Sequence, residues 1–304
     1  MAISPHTPRV KDHSTTLADW LELEALRSEN GVGSLLELAR QFAIAGVGDA
    51  EEETEDEPRQ FTDHARLDDV MVELEARDAA CGDAYPFVIG RAGSSISRKE
   101  GWMDFHYSPL LLLSFIDCHK AVRGQTGLIF PARWFEAICV GAAEQYLGGH
   151  ERGATAFHFA SPRPNGSGFA AALQALATRL RGKALNLIEP RHEKDGGLDV
   201  MAWRPFPDAR CNFVCLFGQC ATGADWRDKN PEPMEFLDVR LRLDTTAVHP
   251  AIFVPFTLAP DDWTQKSRRV VIFDRCRIAS LLPRVEPGAS ADLTRNLVSK
   301  LLAA

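Results

Sequence analysis

The sequence predicts an α/β protein, with a mainly helical N-terminal region over residues 1–125 followed by a mixed sheet flanked by helices over residues 126–304. Three observations predict it. Apolar residues recur at helical spacing in the first third, as Leu17, Trp20, Leu21, then Leu35, Leu38, Phe42, then Leu67, Val70, Met71, Leu74. Between Gly196 and Gly223 two short apolar segments flank a polar turn, the pattern of a hairpin. Arg123-Gly-Gln-Thr-Gly127 breaks the chain between the two regions.

The elements follow in order. Residues 1–16 are polar and are expected to lack order. Leu17–Ile44 reads as two helices broken at Asn30-Gly31-Val32-Gly33. Gly46–Arg59 is expected to be a mobile, dispensable loop, because seven acids lie between Asp49 and Glu57 with nothing apolar to bury. Leu67–Ala79 is a helix, Tyr85–Gly90 a short strand, Arg91–Lys99 a basic, Ser-rich loop, and Pro109–His119 a buried helix. Pro131 suits the first helical position, and Gly148-Gly149 closes the helix it opens. Ala154–Phe159 is a strand, Ser161–Gly168 a loop, Phe169–Leu180 a helix and Ala184–Ile188 a strand. After the hairpin, Asp225–Pro231, Pro260–Gln265 and Leu293–Leu302 read as helical, and Ala251–Leu258 and Val270–Phe273 as strands.

Bulk properties exclude several classes. The longest apolar run, Pro109–Ile116, is far too short to span a bilayer, and the polar N-terminus has no signal-peptide core. Seven scattered cysteines, without a CxxC and without His at zinc spacing, predict free thiols in a reducing cytoplasm. No GxGxxG follows a strand and no Walker lysine is present. Gly46-Val-Gly48 leads into acid, which repels phosphate. Cys220 lacks the His-Gly partner of a cysteine hydrolase, and His158 and His192 stand in uninformative settings. The net charge of −8 divides into −12 over residues 1–150 and +4 over residues 151–304. The acidic run is either a solvated loop or a plug that competes with nucleic-acid phosphates.

The hairpin carries the chemistry. Gly-Leu-Asp-Val on one segment and Phe-Gly-Gln-Cys on the other place a lone carboxylate, Asp199, on an apolar strand, where burial is costly unless it binds something. With the turn near Ala209, facing residues have numbers that sum to 418, so Asp199 faces Gln219 and the two share a sheet face. On the preceding helix, Glu136 falls on the face of Val140, Ala143 and Leu147, either at the edge of the stripe or as a second ligand; Glu144 is the competing acid.

Gly197-Leu-Asp-Val200 with Gly218-Gln-Cys220, together with Trp134-Phe135-Glu136, resembles the active-site hairpin and helix of the PD-(D/E)xK, or restriction-endonuclease-like, nucleases. The resemblance covers about the last 180 residues. It implies a restriction-endonuclease-like sheet and a site in which Asp199, Glu136, the amide oxygen of Gln219 and the Cys220 carbonyl hold Mg²⁺ or Mn²⁺, hard cations suited to oxygen ligands. The family's Gln-x-Lys departs here, since Ala221 stands in the lysine position; Lys194 on the loop before the hairpin, or Lys229 after it, is the implied surrogate. The resemblance implies a metal-dependent DNA endonuclease, a bacterial restriction or anti-phage effector. The alternative is a catalytically inactive relative acting as a binding or scaffold subunit. In either case a protein partner docks on the N-terminal helical region, and no membrane is involved.

Overall fold

A computed structural model describes residues 8, 12–48, 59–90, 93–115, 129–160, 163, 166–189, 196–208, 210–244 and 247–303. In chain order its elements are α1 (Ser14–Arg27), β1 (Val32–Ser34), α2 (Leu35–Gly48), α3 (Arg59–Cys81), β2 (Phe87–Ile89), β3 (Ser95–Arg98) and α4 (Tyr107–Ser114). There follow α5 (Ile129–Tyr146), β4 (Thr155–His158), α6 (Phe169–Arg179), β5 (Lys183–Ala184), β6 (Val200–Trp203), β7 (Cys215–Cys220) and α7 (Pro233–Val239). The chain ends with β8 (Leu241–Arg242), β9 (Val248–Phe253), α8 (Pro260–Ser267), β10 (Val271–Phe273), α9 (Arg275–Leu281) and α10 (Ala289–Ala303). Two compact units result. One comprises Met1–Leu128, Phe256–Ala259 and Arg275–Ala304; the other comprises Ile129–Pro255 and Pro260–Asp274.

The second unit holds a five-stranded mixed sheet of order β10-β9-β7-β6-β4, flanked by helices. β4, β6 and β7 run antiparallel, whereas β7, β9 and β10 run parallel. Its two faces follow from strand alternation. Phe157, Met201, Trp203, Cys215 and Phe217 face one way and pack with Phe169, Leu173 and Leu176 of α6 and with Phe236 of α7. α5 packs against β4, β6 and β7. Pro131 is the third residue of α5 rather than the first, and the helix ends before Gly148 and Gly149, both with positive φ. Of Ala184–Ile188 only the first residue is in a strand; Leu185, Leu187 and Ile188 stay exposed, so an apolar run alone was an insufficient sign of burial there.

The first unit is helical around a small three-stranded sheet, β1-β3-β2. Ser95–Arg98, expected as loop, is its central strand, held by β1 on one edge and β2 on the other. Backbone pairing on two sides, not side-chain burial, makes this polar segment a strand, for only Ile96 in it is buried. The break between α1 and α2 is β1 itself, where Gly33 lies so close to the Leu21 carbonyl that a Cβ would collide with it. Gly46–Gly48 and Arg59, expected in the acidic loop, are helical in α2 and α3; residues 49–58 lie outside the described residues. Among the described residues no helix is long and apolar enough to cross a membrane.

Four charged side chains close the core of this unit. Arg77 is 2% exposed, and Glu22 and Arg275 are fully buried. Arg77 donates to Asp19 at 2.7 Å, Glu22 at 3.0 Å, Glu73 at 2.9 Å and the Thr15 carbonyl at 2.8 Å. Arg275 grips both oxygens of Asp19, at 2.7 and 2.9 Å, and donates to Ser114 at 3.0 Å. The hydroxyls of Tyr85 and Tyr107 donate to Glu22 at 2.7 and 2.8 Å. Burial alone would raise the pKa of Asp19, but attraction to Arg275 and Arg77 outweighs it and holds this carboxyl below its ordinary value.

Removing one partner leaves a buried charge uncompensated. Arg275→Met should therefore lower the urea unfolding free energy by about 3–5 kcal/mol, and a loss under about 1 kcal/mol would contradict this network's role. Because the folded pKa of Asp19 is depressed, its contribution is present above the ordinary value of 3.8 and is lost as pH falls through the lower folded value. The stability gap between wild type and Asp19→Asn should accordingly narrow below that pH.

Candidate functional site

β6 and β7 pair as Val200–Gly218, Met201–Phe217, Ala202–Leu216 and Trp203–Cys215, partners whose numbers sum to 418. Asp199 thus stands at the end of the ladder opposite Gln219. The ladder slips there: the Asp199 N–H donates at 2.9 Å to the Gly218 carbonyl, although the register partner of Gly218 is Val200. Such a one-residue slip re-aims a side chain, as bulges do. The Asp199 carbonyl accepts N–H groups of Phe159 and Ala160 at 2.7 and 3.2 Å, and its carboxylate Oδ2 accepts the Cys220 N–H at 2.7 Å.

A helix and a third strand complete this neighbourhood. Glu136, on α5, has Oε2 2.9 Å from Nε2 of His158, with side chains 15% and 11% exposed. His158 pairs with Val200 in register, so the two share a face of the sheet. Cys139 lies three residues after Glu136, and its thiol hydrogen-bonds that of Cys220. Burial pushes the Cys139 thiol up, the hydrogen bond with Cys220 offsets part of this, and the nearby carboxylates of Asp199 and Glu136 add to the rise. Burial, Cys139 and the same two carboxylates do likewise to Cys220. Two contacts thus flank the thiol pair, Glu136 with His158 and Asp199 with the Cys220 N–H, and both carboxylates act electrostatically on the Cys139 and Cys220 thiols. Thiols held so far from ionisation are poor nucleophiles.

Gln219 goes elsewhere. It follows Phe217 by two residues and lines a cavity of about 400 Å³ whose described lining includes Phe236, Glu232 and Glu235 but neither Asp199 nor Glu136. Its Oε1 is buried without a hydrogen-bond partner. Ala221 is 4% exposed, with its N–H on the Phe253 carbonyl at 2.9 Å. Lys229 pairs loosely with Asp225, at 3.9 Å, and Lys194 lies outside the described residues, as does the turn residue Ala209. Glu144 is half-buried further along α5. Of the expected set, Asp199 meets Cys220 through the Cys220 N–H rather than its carbonyl, Glu136 acts on the same thiol pair, and the Gln219 amide is not brought to them.

Among the described residues no group of three or more His, Cys, Asp or Glu is arranged to hold a metal ion. Mg²⁺ asks for less, since it keeps several waters and is commonly held through one or two carboxylates. The donor chemistry of Asp199 and Glu136 fits that requirement, with Gln219 outside the set. No protein-family model, curated protein or solved structure matches the chain.

His158 and Cys139 are the members that sequence reasoning missed. The signal for His158 is a titratable ring inside the apolar run Ala156-Phe-His-Phe-Ala160. For Cys139 it is the i, i+3 spacing from Glu136 on one helix face.

Because Asp199 caps a backbone N–H of β7, Asp199→Ala orphans that donor and should cost about 1–3 kcal/mol. Asp199→Asn keeps an acceptor oxygen and should cost less. Thermal unfolding checks this, and equal melting temperatures for the two variants would contradict it.

Proposed function

We propose that this protein is a metal-dependent DNA endonuclease, a bacterial restriction or anti-phage effector working in the cytoplasm, with its phosphodiester-cleaving site at Asp199 and Glu136. One observation carries the reading: these two acids, 63 positions apart, lie around one thiol pair with His158 bound to Glu136. Asp199 and Glu136 would hold Mg²⁺ or Mn²⁺, which supplies charge neutralisation and a more acidic water when bound. His158 is the proton carrier. Glu136 orients its ring through Nε2, and the imidazole stands in for the lysine that Ala221 replaces. Lys229 is the weaker surrogate, since its ammonium faces Asp225. The +4 net charge of residues 151–304 supports an anionic polymer as substrate. A protein partner would dock on the helical first unit.

The second reading, an inactive nuclease-fold subunit that only binds, is favoured by two observations. Ala221 is packed into the sheet at the lysine position, and Gln219 turns into a separate cavity.

Supercoiled plasmid incubated with the full chain and Mg²⁺ or Mn²⁺ tests this. Wild type should nick or linearise it, and His158→Ala should slow cleavage by roughly 10²-fold or more, the usual loss for a proton-transfer group. Absence of cleavage by wild type in either metal supports the second reading. Cleavage by Asp199→Asn and Glu136→Gln at the wild-type rate would overturn the site.

A further inference from the structure

An exposed arginine sits where α6 ends, at a position that suits glycine. The helix closes with the Arg181 N–H donating to the Thr178 carbonyl at 3.2 Å and the Gly182 N–H to the Ala177 carbonyl at 2.8 Å. This closure sets one residue in the left-handed region, most often a glycine. Here that residue is Arg181, with φ of 56°. Gly182 is needed one place later, because a Cβ there would collide with the Arg242 carbonyl. The turn therefore carries a cation at a position where a side chain is strained.

Two more cations stand beside this turn. Lys183 of β5 and Arg242 of β8 are register partners in an antiparallel pair, so their side chains leave the same face. Both are exposed, whereas their neighbours Ala184 and Leu241 turn to the core. Like charges directly opposite each other destabilise a strand pair. Among the described residues, none of Arg181, Lys183 and Arg242 makes an ion pair or a side-chain hydrogen bond. Two further arginines have local roles: Arg179 lies over the Phe157 ring at 5.2 Å, and Arg240 donates to the Ile188 carbonyl at 2.6 Å. Over residues 179–184 and 240–244 the sequence sets these five cations against one acid, Asp244. Backbone strain and charge repulsion thus fall on one exposed cationic face, and an anion bound there offsets the repulsion.

We propose that Arg181, Lys183 and Arg242 bind the phosphate backbone of duplex DNA, an inference that rests on the reading of DNA as the substrate. Charge complementarity selects this occupant. Three cations spread over a turn and two strands match a row of phosphates, and the guanidinium forks of the two arginines can each donate to two phosphate oxygens. The face lies on the α6 side of the sheet, whereas Glu136 lies on α5. These residues hold the duplex and do not touch the reacting atoms. Contacts of this kind fix the position of the duplex and read no sequence.

Fluorescence anisotropy of a labelled DNA duplex with the full chain, in EDTA so that no cleavage intervenes, tests the proposal across a series of NaCl concentrations. Wild type should bind, with the logarithm of its affinity falling linearly against the logarithm of salt concentration. Arg181→Gly, Lys183→Ala and Arg242→Ala should each flatten that slope by about 0.9, one phosphate contact apiece, and weaken binding to unrelated duplex sequences by the same factor. Stability should not follow affinity. Arg181→Gly relieves the backbone and Lys183→Ala the repulsion, so neither should melt below wild type, which separates a lost contact from a lost fold. Wild type without affinity for duplex overturns this proposal and the DNA reading together. Binding by wild type with unchanged slope and affinity in all three variants overturns the proposal alone. Displacement of the duplex by polyglutamate as effectively as by unlabelled duplex of equal charge also overturns it, and assigns the face to an acidic polypeptide.

Discussion

The register of β6 against β7 is the constraint on which the site depends. The pairing of Val200 with Gly218 determines which residues of the second unit face α5 and which face α6 and α7. Side chains alternate along a strand, so a slip of one residue exchanges the two faces. At Asp199 such a slip occurs locally, where its N–H reaches the Gly218 carbonyl while its carboxylate closes on the Cys220 N–H. This single irregularity separates two residues that the hairpin sets opposite each other. Asp199 joins Glu136, His158 and the thiol pair, and Gln219 continues the Phe217 face into a cavity. A neutral amide on one side and paired acids on the other make two environments from one strand end.

The first unit rests on a different kind of constraint. Its buried charges, Asp19 and Glu22 against Arg77 and Arg275, form one hydrogen-bonded network. Apolar residues of similar volume often serve as well, whereas an incomplete set is strongly destabilising. Completeness requires contributions from α1, α3, Tyr85 ahead of β2, α4 and α9. Arg275, two residues after the end of β10, is grouped with the N-terminal helices, where its hydrogen-bond partners Asp19 and Glu22 lie.

Legibility in the sequence followed periodicity. The long helices α1, α3 and α5 and the apolar hairpin were readable because their patterns repeat over many residues, and turn symmetry even gave the register. Strand β3 was not, because its place comes from two neighbours rather than from its own residues. The short helices α7 and α9, each of seven residues, are too brief to show a stripe. Asp199 and Glu136 stood out as acids on apolar elements. The parting of Asp199 from Gln219 did not, since it depends on a one-residue slip in the hydrogen bonding of Asp199 that no residue type announces. Nothing in the sequence singled out Arg77 and Arg275, for charge burial is a property of the assembled core.

The central proposal is that Asp199 and Glu136, and not Gln219, would hold a divalent cation. Mn²⁺ binding by electron paramagnetic resonance tests it most directly. The account predicts one bound Mn²⁺ in wild type, lost in Asp199→Asn and in Glu136→Gln and retained in Gln219→Leu. Retention in both acid variants, or loss in Gln219→Leu alone, would contradict it.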